Sequence, residues 1–228
     1  MIEDEDYYLA VRDNFLRDIS RVSADIDQIL KDIGALEIAR VLDVGCGIGQ
    51  ALFPIAVRTG GFGVGIDLSV LGLRMGREFY AAHLPDARIE FISAGAESLP
   101  FAPESFDLVN CGLALPYMRN GQAIGEVARV LRPGGVFLLR IHHARYYLQR
   151  LWQGFSSGQL LPIIHGGRVL TAGLLYHLTS RQPRSKLLNE TYQTRWLLKS
   201  ELNKHRLVIE REQTDTNPIT PAFVIRKK

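Results

Sequence analysis

Residues 41–50 read VLDVGCGIGQ, the most informative ten residues of the chain. The apolar run at its start is typical of a buried strand, and glycine then recurs at every second position, at Gly45, Gly47 and Gly49. Glycine adopts positive φ without steric cost and leaves no Cβ between the backbone and a bound molecule. The sequence therefore predicts a strand, a tight turn and a helix whose N-terminus presents N–H groups to a polar or anionic ligand.

The spacing of the glycines separates two kinds of cofactor loop. A dinucleotide loop follows G-x-G-x-x-G, but this chain has Gln50 or Leu52 where the third glycine would stand. The chain instead follows G-x-G-x-G, preceded by Asp43. A tight turn that binds nothing is the alternative that the motif alone leaves open.

An acid ends the next apolar run. Asp67 follows GVGI, 18 residues after Gly49. At the tip of a strand beside the glycine loop, a carboxylate can accept both hydroxyls of a ribose. Asp67 or Ser69 could instead cap the helix that follows.

Short apolar runs alternate with helical stretches in the first two thirds of the chain. The runs lie at residues 40–44, 62–67, 88–92, 106–111 and 136–141. The spacing predicts helices at residues 13–36 (with Gly34 near the end), 50–58, 69–83 and 122–131. Strands that are apolar on both faces and separated by helices indicate a parallel sheet covered on both sides.

The alternation breaks after residue 141. Residues 146–181 are apolar, aromatic and interrupted by glycine, which predicts inserted helices and loops. A final helix is predicted near residues 192–204. Two last runs, at residues 206–212 and 222–226, are close enough in sequence to pair antiparallel.

Three further segments join residues 41–50 in a recognisable set. They are AGAESLPF at residues 94–101, FDLVNCGLALPYM at 106–118 and EVARVLRPGGVFLL at 126–139. In type and order these four resemble the motifs of the class I S-adenosylmethionine-dependent methyltransferases, in their small-molecule and quinone-biosynthesis branch (methyltransferase type 11). The resemblance covers residues 38–140 motif by motif and the C-terminal part by topology alone.

The resemblance implies an α/β, Rossmann-like fold. We expect a seven-stranded, mostly parallel sheet with an antiparallel last strand, helices on both faces and a helical insertion after the fifth strand. The single methyltransferase domain, residues 1–228, would comprise an N-terminal helical segment (1–37), a cofactor-binding core (38–141), an inserted lid (142–190) and a last helix with the terminal strand pair (191–228).

The resemblance also implies S-adenosylmethionine as the cofactor. The contacts that it assigns are Asp43, Gly45, Cys46, Gly47, Gly49, Asp67, Leu68, Ala96, Glu97 and Cys111. Among these, Leu68 would pack on the adenine, and Glu97 could equally be a solvated surface acid. The family pattern G-D-A-E-x-L-P-F has an aspartate where this chain has Gly95, so the adenine amino group needs another acceptor here.

The residues on the acceptor side are less determined by sequence. Methyl transfer from a sulfonium requires positioning above all, and a base helps only a weakly nucleophilic acceptor such as a hydroxyl. His142, His143 and Tyr117 follow strand ends at the ligand-binding edge, so they are candidates for catalysis. Each could equally be an amphipathic surface residue. We expect Cys46 and Cys111 to be small buried apolar groups rather than redox groups.

Charge is unevenly distributed along the chain. The net charge is −7 over residues 1–139 and +10 over residues 140–228, and residues 127–189 contain no acid. This interval could be a lid over an anionic, partly apolar acceptor, a patch against acidic lipid headgroups through residues 140–186, or a contact for nucleic-acid phosphates. A solvated basic face or a homodimer contact also fits. Its many leucines and isoleucines favour a small or lipid-like acceptor over nucleic acid.

Composition narrows the class of protein. Hydrophobic residues make up 46% and charged residues 22%, as in ordinary globular proteins. We see no leader, no membrane-spanning stretch, no disulfide framework and no metal-ligand spacing, and we expect a cytoplasmic methyltransferase without a metal. Two other functions stay open: a catalytically silent S-adenosylmethionine-binding protein, which Gly95 favours, and a nicotinamide-dependent dehydrogenase, which the glycine spacing disfavours.

Overall fold

The computed structural model describes residues 4–33, 38–183, 185, 187–213 and 219–228. One sheet contains the strands β1 (Arg40–Val44), β2 (Phe62–Asp67), β3 (Ile89–Ser93), β4 (Phe106–Gly112), β5 (Leu131–Arg140), β6 (Leu207–Gln213) and β7 (Ala222–Lys227). The described α-helices are α1 (Glu5–Asp32), α2 (Leu52–Thr59), α3 (Val70–His83), α4 (Asn120–Val130), α5 (Ala144–Ser157), α6 (Leu160–Thr179) and α7 (Arg195–Lys204). A short 3₁₀ helix, Leu115–Tyr117, follows β4.

The strand order is β3-β2-β1-β4-β5-β7-β6. Strand β1 pairs in parallel with both β2 and β4, so the connections leaving the carboxyl ends of β1 and β4 diverge. In open α/β sheets this divergence creates the crevice in which ligands bind. Strand β7 runs antiparallel to β5 and to β6. The predicted Rossmann-like fold with a reversed last strand is confirmed.

Alternating side chains of the central strands fill a core on each face of the sheet. Leu42 and Val109 pack with Ile124 of α4, whereas Val41 packs with Ile55 of α2. All five are at most 1% exposed. Successive residues of a strand point to opposite faces, so the continuous apolar run of β1 supplies both cores. Each such side chain contributes about 2 kcal/mol of burial free energy.

Helix α1 begins earlier than the sequence predicts. It starts at Glu5 rather than at residue 13, because Asp4 caps it by accepting a hydrogen bond from the Tyr7 N–H at 3.2 Å. The acidic first turn also suits the positive end of the helix dipole. The predicted stop at Gly34 lies outside the described residues.

Strand β5 also begins earlier, at Leu131 rather than at residue 136. Leu131 pairs with Phe106 and Val136 pairs with Leu108, and the register shifts between them. Helix α4 therefore ends at Val130, one residue before the predicted end at residue 131. The extended backbone of Leu131 takes up pairing with β4 immediately.

The insertion after β5 is helical, as predicted. Helices α5 and α6 approach closely through glycine: a Cβ on Gly154 would lie 2.7 Å from Ile163 Cγ1, and one on Gly166 would lie 2.9 Å from Leu151 Cγ. No helix in the described part of the chain combines the length and the hydropathy needed to cross a bilayer.

Candidate active site

The glycine loop is held against the ends of two neighbouring strands. The N–H groups of Gly45 and Cys46 both donate to the Ile66 carbonyl at 2.9 Å. Gly45 has a φ of +72°, and a Cβ there would overlap Ala114 Cβ in the segment after β4. Only glycine combines this φ with this approach, so the predicted strand–turn–helix element is present with its backbone closely packed.

Asp67 lies across the loop, at the tip of β2. Its Oδ2 accepts from the Gly47 N–H and its Oδ1 from the Ser69 N–H, both at 2.9 Å. A carboxylate has about four lone-pair positions, so two acceptor positions remain for the hydroxyls of a ribose. Ser69, not Asp67, caps α3, because its side chain accepts from Gly72 N. The capping alternative for Asp67 therefore loses its support.

Asp43 is buried beneath the loop and 2% exposed. Its Oδ1 accepts a hydrogen bond from Asn110 Nδ2 at 2.7 Å, and its Oδ2 has no partner among the described residues. Burial raises the pKa of Asp43 to about 7, with a smaller contribution from the charge of Asp67, while the Asn110 hydrogen bond opposes the rise. A cationic group bound above the loop would favour the ionised form of this carboxyl.

The predicted adenine contacts gather beside Asp67. Leu68 is 51% exposed, and a Cβ on Gly95 would lie 3.9 Å from Leu68 Cδ2 and 3.6 Å from Glu97 Oε2. Ala96, which stands between Gly95 and Glu97 in the sequence, is buried. Glu97 Oε1 accepts from the Arg119 N–H at 2.8 Å, so this acid ties the loop after β3 to the start of α4. One carboxylate oxygen still faces the position of Gly95.

The two cysteines are buried thiols close to the loop. Cys46 is 2% and Cys111 is 1% exposed. Burial raises the pKa of Cys46 and raises the pKa of Cys111 to about 12. The thiolate is the reactive form, so this environment favours packing over nucleophilic or redox chemistry.

Two tyrosines of α1 cover the loop, and the sequence analysis missed both. Tyr8 is 5% exposed, and its ring lies 3.7 Å from where a Cβ on Gly47 would be. Burial and the nearby charge of Asp67 raise the pKa of Tyr7. The acidic run at residues 3–6 could have indicated both tyrosines. Acids favour the first turn of a helix, so a helix beginning there carries Tyr7 and Tyr8 close to its start.

A buried polar cluster joins the insertion to the acceptor side of the crevice. Glu190, 7% exposed, accepts a hydrogen bond from the Tyr147 hydroxyl at 2.7 Å and lies 2.8 Å from Nε2 of His165. His142 Nδ1 lies 3.3 Å from the Tyr147 hydroxyl, and its ring stacks on Tyr146 at 4.2 Å. Sequence reasoning missed Glu190, His165 and the role of Tyr147.

The contacts of Tyr147 favour one tautomer of His142. Tyr147 donates its proton to Glu190, and its oxygen can accept from Nδ1 of His142 in the tautomer that leaves a lone pair on Nε2. Burial lowers the pKa of His142, the charges of Arg150 and His165 add to the effect, and Glu190 opposes it. A neutral imidazole with a free acceptor nitrogen has the form that a general base requires.

The other two catalytic candidates have different surroundings. His143 caps α5, and its Nδ1 accepts from the Arg145 N–H at 3.3 Å. Its charged neighbours are Arg145 and Glu212, whereas those of His142 include Glu190, so the two rings face different groups. Tyr117 is 53% exposed over the whole residue, but partial burial, the charge of Glu190 and a hydrogen bond with Glu190 together raise its pKa. His142 and Tyr117 therefore share Glu190, and His143 stands apart.

A groove of about 510 Å³ lies at the other edge of the sheet. Its lining includes Arg40, Arg88 and Ser105. Arg40 is the first residue of β1, whereas the glycine loop follows the last residue of that strand. This groove is separate from the candidate site. In the described part of the chain no three His, Cys, Asp or Glu side chains come together as metal ligands.

Comparison with known proteins relates the central part of the chain to a known family. A family model described as a methyltransferase domain matches residues 42–139, the span that runs from the glycine loop to β5. Over these residues the chain is similar to the class I S-adenosylmethionine-dependent methyltransferases. The cofactor of the family is S-adenosylmethionine, and the acidic, glycine-lined crevice of this methyltransferase core suits it.

Curated relatives match part of the chain. The chain is 34% identical, over 56% of its length and 56% of the relative, to the ubiquinone/menaquinone biosynthesis C-methyltransferase of Geotalea daltonii. It is 38% identical, over 49% of its length and 40% of the relative, to the fatty-acid O-methyltransferase of Mycolicibacterium smegmatis. The matches thus span about half the length of these relatives or less. The PH0226 protein of Pyrococcus horikoshii shares the fold, with a TM-score of 0.65 and 22% identity over 92% of this chain and 90% of that one.

Proposed function

We propose that the protein transfers a methyl group from S-adenosylmethionine to a small, partly apolar organic acceptor that carries a hydroxyl or an anionic group. The observation that carries this proposal is Asp67, which accepts from the Gly47 N–H at 2.9 Å across the glycine loop and keeps acceptor positions for a ribose. S-adenosylmethionine supplies a methyl group already activated on a sulfonium. The residues of the chain then have to bind, orient and exclude water.

We propose the following roles for the residues around the cofactor. Asp67 holds the ribose, and the loop glycines let the backbone approach it. Leu68 and Ala96 flank the adenine, with Glu97 replacing the acceptor that Gly95 does not provide. Asp43 lies below the positively charged part, and Cys46 and Cys111 fill the space beneath.

We propose His142 as the general base for a hydroxyl acceptor. Its Nε2 takes the hydroxyl proton as the acceptor oxygen forms a bond to the methyl carbon and the bond from that carbon to sulfur breaks. The Nδ1 contact with Tyr147, and through it Glu190, orients the ring and stabilises the imidazolium that forms. Tyr117, half-exposed at the crevice, positions the acceptor.

The class of acceptor is inferred from the insertion and from the relatives. We propose that residues 142–190, which are rich in aromatic and apolar side chains, form a lid over the crevice. The relatives named above act in quinone biosynthesis and on fatty acids, and both names fit a lid that is apolar and basic. We propose, in addition, that residues 140–186 contact a lipid surface rather than nucleic acid.

Calorimetry and a transfer assay test this function. S-adenosylhomocysteine should bind and NAD should not, and Asp67→Ala should weaken binding more than about tenfold. With labelled S-adenosylmethionine and a panel of phenols, quinols and fatty acids, His142→Ala should lower turnover of a hydroxyl acceptor by about 10²-fold or more and leave the cofactor Kd unchanged. His143→Ala is the matched control and should retain turnover. Binding of NAD alone would overturn the proposal.

Gly95, which stands where the family pattern has an aspartate, favours a second candidate function: binding of S-adenosylmethionine without transfer of its methyl group. That candidate predicts tight S-adenosylhomocysteine binding with no labelled product from any acceptor in the panel.

A further inference from the structure

The outer end of the α5–α6 hairpin carries large apolar side chains on its surface. We call residues 151–167 the hairpin tip; their sequence, LWQGFSSGQLLPIIHGG, has no Asp, Glu, Lys or Arg. Trp152, Phe155, Leu160 and Leu161 are 74%, 66%, 71% and 81% exposed. Isolated exposed apolar residues are ordinary, but a cluster at one projecting end marks an interaction site.

The packing of the hairpin explains why these side chains face outward. Gly154 and Gly166 form the contact between the helices, because a Cβ at either would lie within 3 Å of a side chain of the facing helix. Small residues on the inner faces bring the two helices close together. The bulky residues of the tip therefore find no partner within the hairpin.

Basic residues flank the tip on both helices. Arg150 and Arg168 stand about 12 and 15 Å of helix from the turn at Gly158. Both are half-buried: Arg150 donates to the Tyr146 hydroxyl at 3.2 Å and Arg168 to the Leu187 carbonyl at 2.6 Å. Arg145, further from the turn on α5, is exposed. No acid lies between residues 127 and 189. This arrangement suits the interface of an anionic bilayer. Aromatic side chains enter such an interface by about 5–10 Å, and basic residues further from the tip lie near the headgroups.

We infer that the hairpin tip docks the protein on anionic lipid bilayers, with Trp152, Phe155 and Leu161 entering the interface. A symmetric contact with a second copy would bring two basic flanks together and would be opposed by like charge. Nucleic acid needs cations at the contact itself, and the tip has none. This inference locates the lipid contact proposed above but does not depend on methyl transfer.

Vesicle flotation of the full chain tests the inference. The protein should float with vesicles of phosphatidylglycerol and phosphatidylcholine, and much less with phosphatidylcholine alone. The double variant Trp152→Ser/Leu161→Ser should lose binding by more than about tenfold. The matched control Leu16→Ser/Val57→Ser removes two exposed apolar residues of α1 and α2 and should float like the unmodified protein.

Tryptophan fluorescence measures directly whether the hairpin tip enters the bilayer. The chain has two tryptophans, so a Trp196→Phe background isolates Trp152, whose emission should shift to shorter wavelength on addition of the anionic vesicles. Absence of flotation, equal flotation of the double variant, or equal binding to both vesicle types would overturn the inference. So would a dimer in sedimentation velocity that the double variant loses while the protein ignores vesicles. Cofactor binding by all variants separates these outcomes from failure of the proposed function.

Discussion

Gly45 is the residue at which backbone geometry and cofactor binding meet. Its φ is +72°, and a Cβ there would overlap Ala114. We expect Gly45→Ala to destabilise the protein by about 2–5 kcal/mol, since it adds left-handed strain of about 1–2 kcal/mol to overpacking of about 1–3 kcal/mol. Urea unfolding measures the loss, and calorimetry should show that S-adenosylhomocysteine binding is lost as well.

Gly134→Ala is the matched control for that substitution. Gly134 has nearly the same φ, +75°, but a Cβ there meets nothing within 4 Å. It should cost only the strain of about 1–2 kcal/mol and leave cofactor binding unchanged. Equal costs for the two substitutions would contradict the close packing of the loop against Ala114.

Gly95 offers a gain of binding rather than a loss. A Cβ there makes ordinary contacts, 3.6 Å to Glu97 Oε2 and 3.9 Å to Leu68 Cδ2, so the first carbon of the aspartate side chain in Gly95→Asp fits without overlap. Its carboxylate would accept the second N–H of the adenine amino group, beside the one that Glu97 is proposed to accept, and we expect S-adenosylhomocysteine affinity to rise by up to about tenfold. Gly95→Ala, which adds no acceptor, is the control. Equal affinity of both variants, measured by calorimetry, would place the adenine elsewhere.

At the scale of single residues, the sequence predicts what lies within one segment. Gly45, Gly47 and Asp67 follow strand ends, so a motif is enough to bring them together. Glu190 and Asn110 could not be found in this way. Their partners, Tyr147 and Asp43, are 43 and 67 residues distant in sequence, and only the packed fold joins them.

Among the helices, α6 depends on one close approach to the segment that carries Glu190. A Cβ on Gly173 would overlap the ring of Tyr192, and Gly173 and Tyr192 are both buried. We expect Gly173→Ala to force the helix and this segment apart and to cost about 1–3 kcal/mol. The midpoint of urea unfolding should fall accordingly.

Gly167, on the same helix, gives the comparison. A Cβ there meets nothing within 4 Å, and alanine is favoured over glycine in a helix by up to about 1 kcal/mol. Gly167→Ala should therefore be neutral or stabilising. If both alanine variants unfold at the same urea concentration, the contact between α6 and Tyr192 does not limit stability.

Elements were predicted best where pattern and pairing agree. Strands β1 and β2 have the predicted bounds because their apolar runs end in an acid or a glycine turn. The starts of α1 and β5 were wrong for opposite reasons. The cap of α1 is a single acid, Asp4, in an acidic run, and the start of β5 is set by pairing with Phe106 of another strand.

At the scale of the whole molecule, Asp43 places an ionisable group in the centre of the sheet. It pairs with Gly65 of β2 and Asn110 of β4 and is 2% exposed. Burial, aided by the charge of Asp67, raises its pKa to about 7, against the hydrogen bond from Asn110. In the unfolded chain an aspartate has a pKa of about 3.9.

The sign of the resulting pH dependence follows from proton linkage. Between about pH 4 and pH 7 the native state holds a proton that the unfolded state has released. The contribution of Asp43 to the free energy of unfolding is therefore fully present below about pH 4. It is lost as the pH rises through about 7, by at most about 1.4 kcal/mol for each pH unit.

Comparison with Asp43→Asn isolates this contribution, because every other titrating group is common to both proteins. The asparagine keeps a carbonyl oxygen for the Asn110 amide but does not ionise. Urea unfolding of both proteins from pH 5 to pH 8 should give a difference, unmodified minus variant, that falls until about pH 7 and is level above it. A difference that does not change with pH would mean that Asp43 is ionised in the native state throughout, and that the carboxyl beneath the glycine loop is solvated rather than buried.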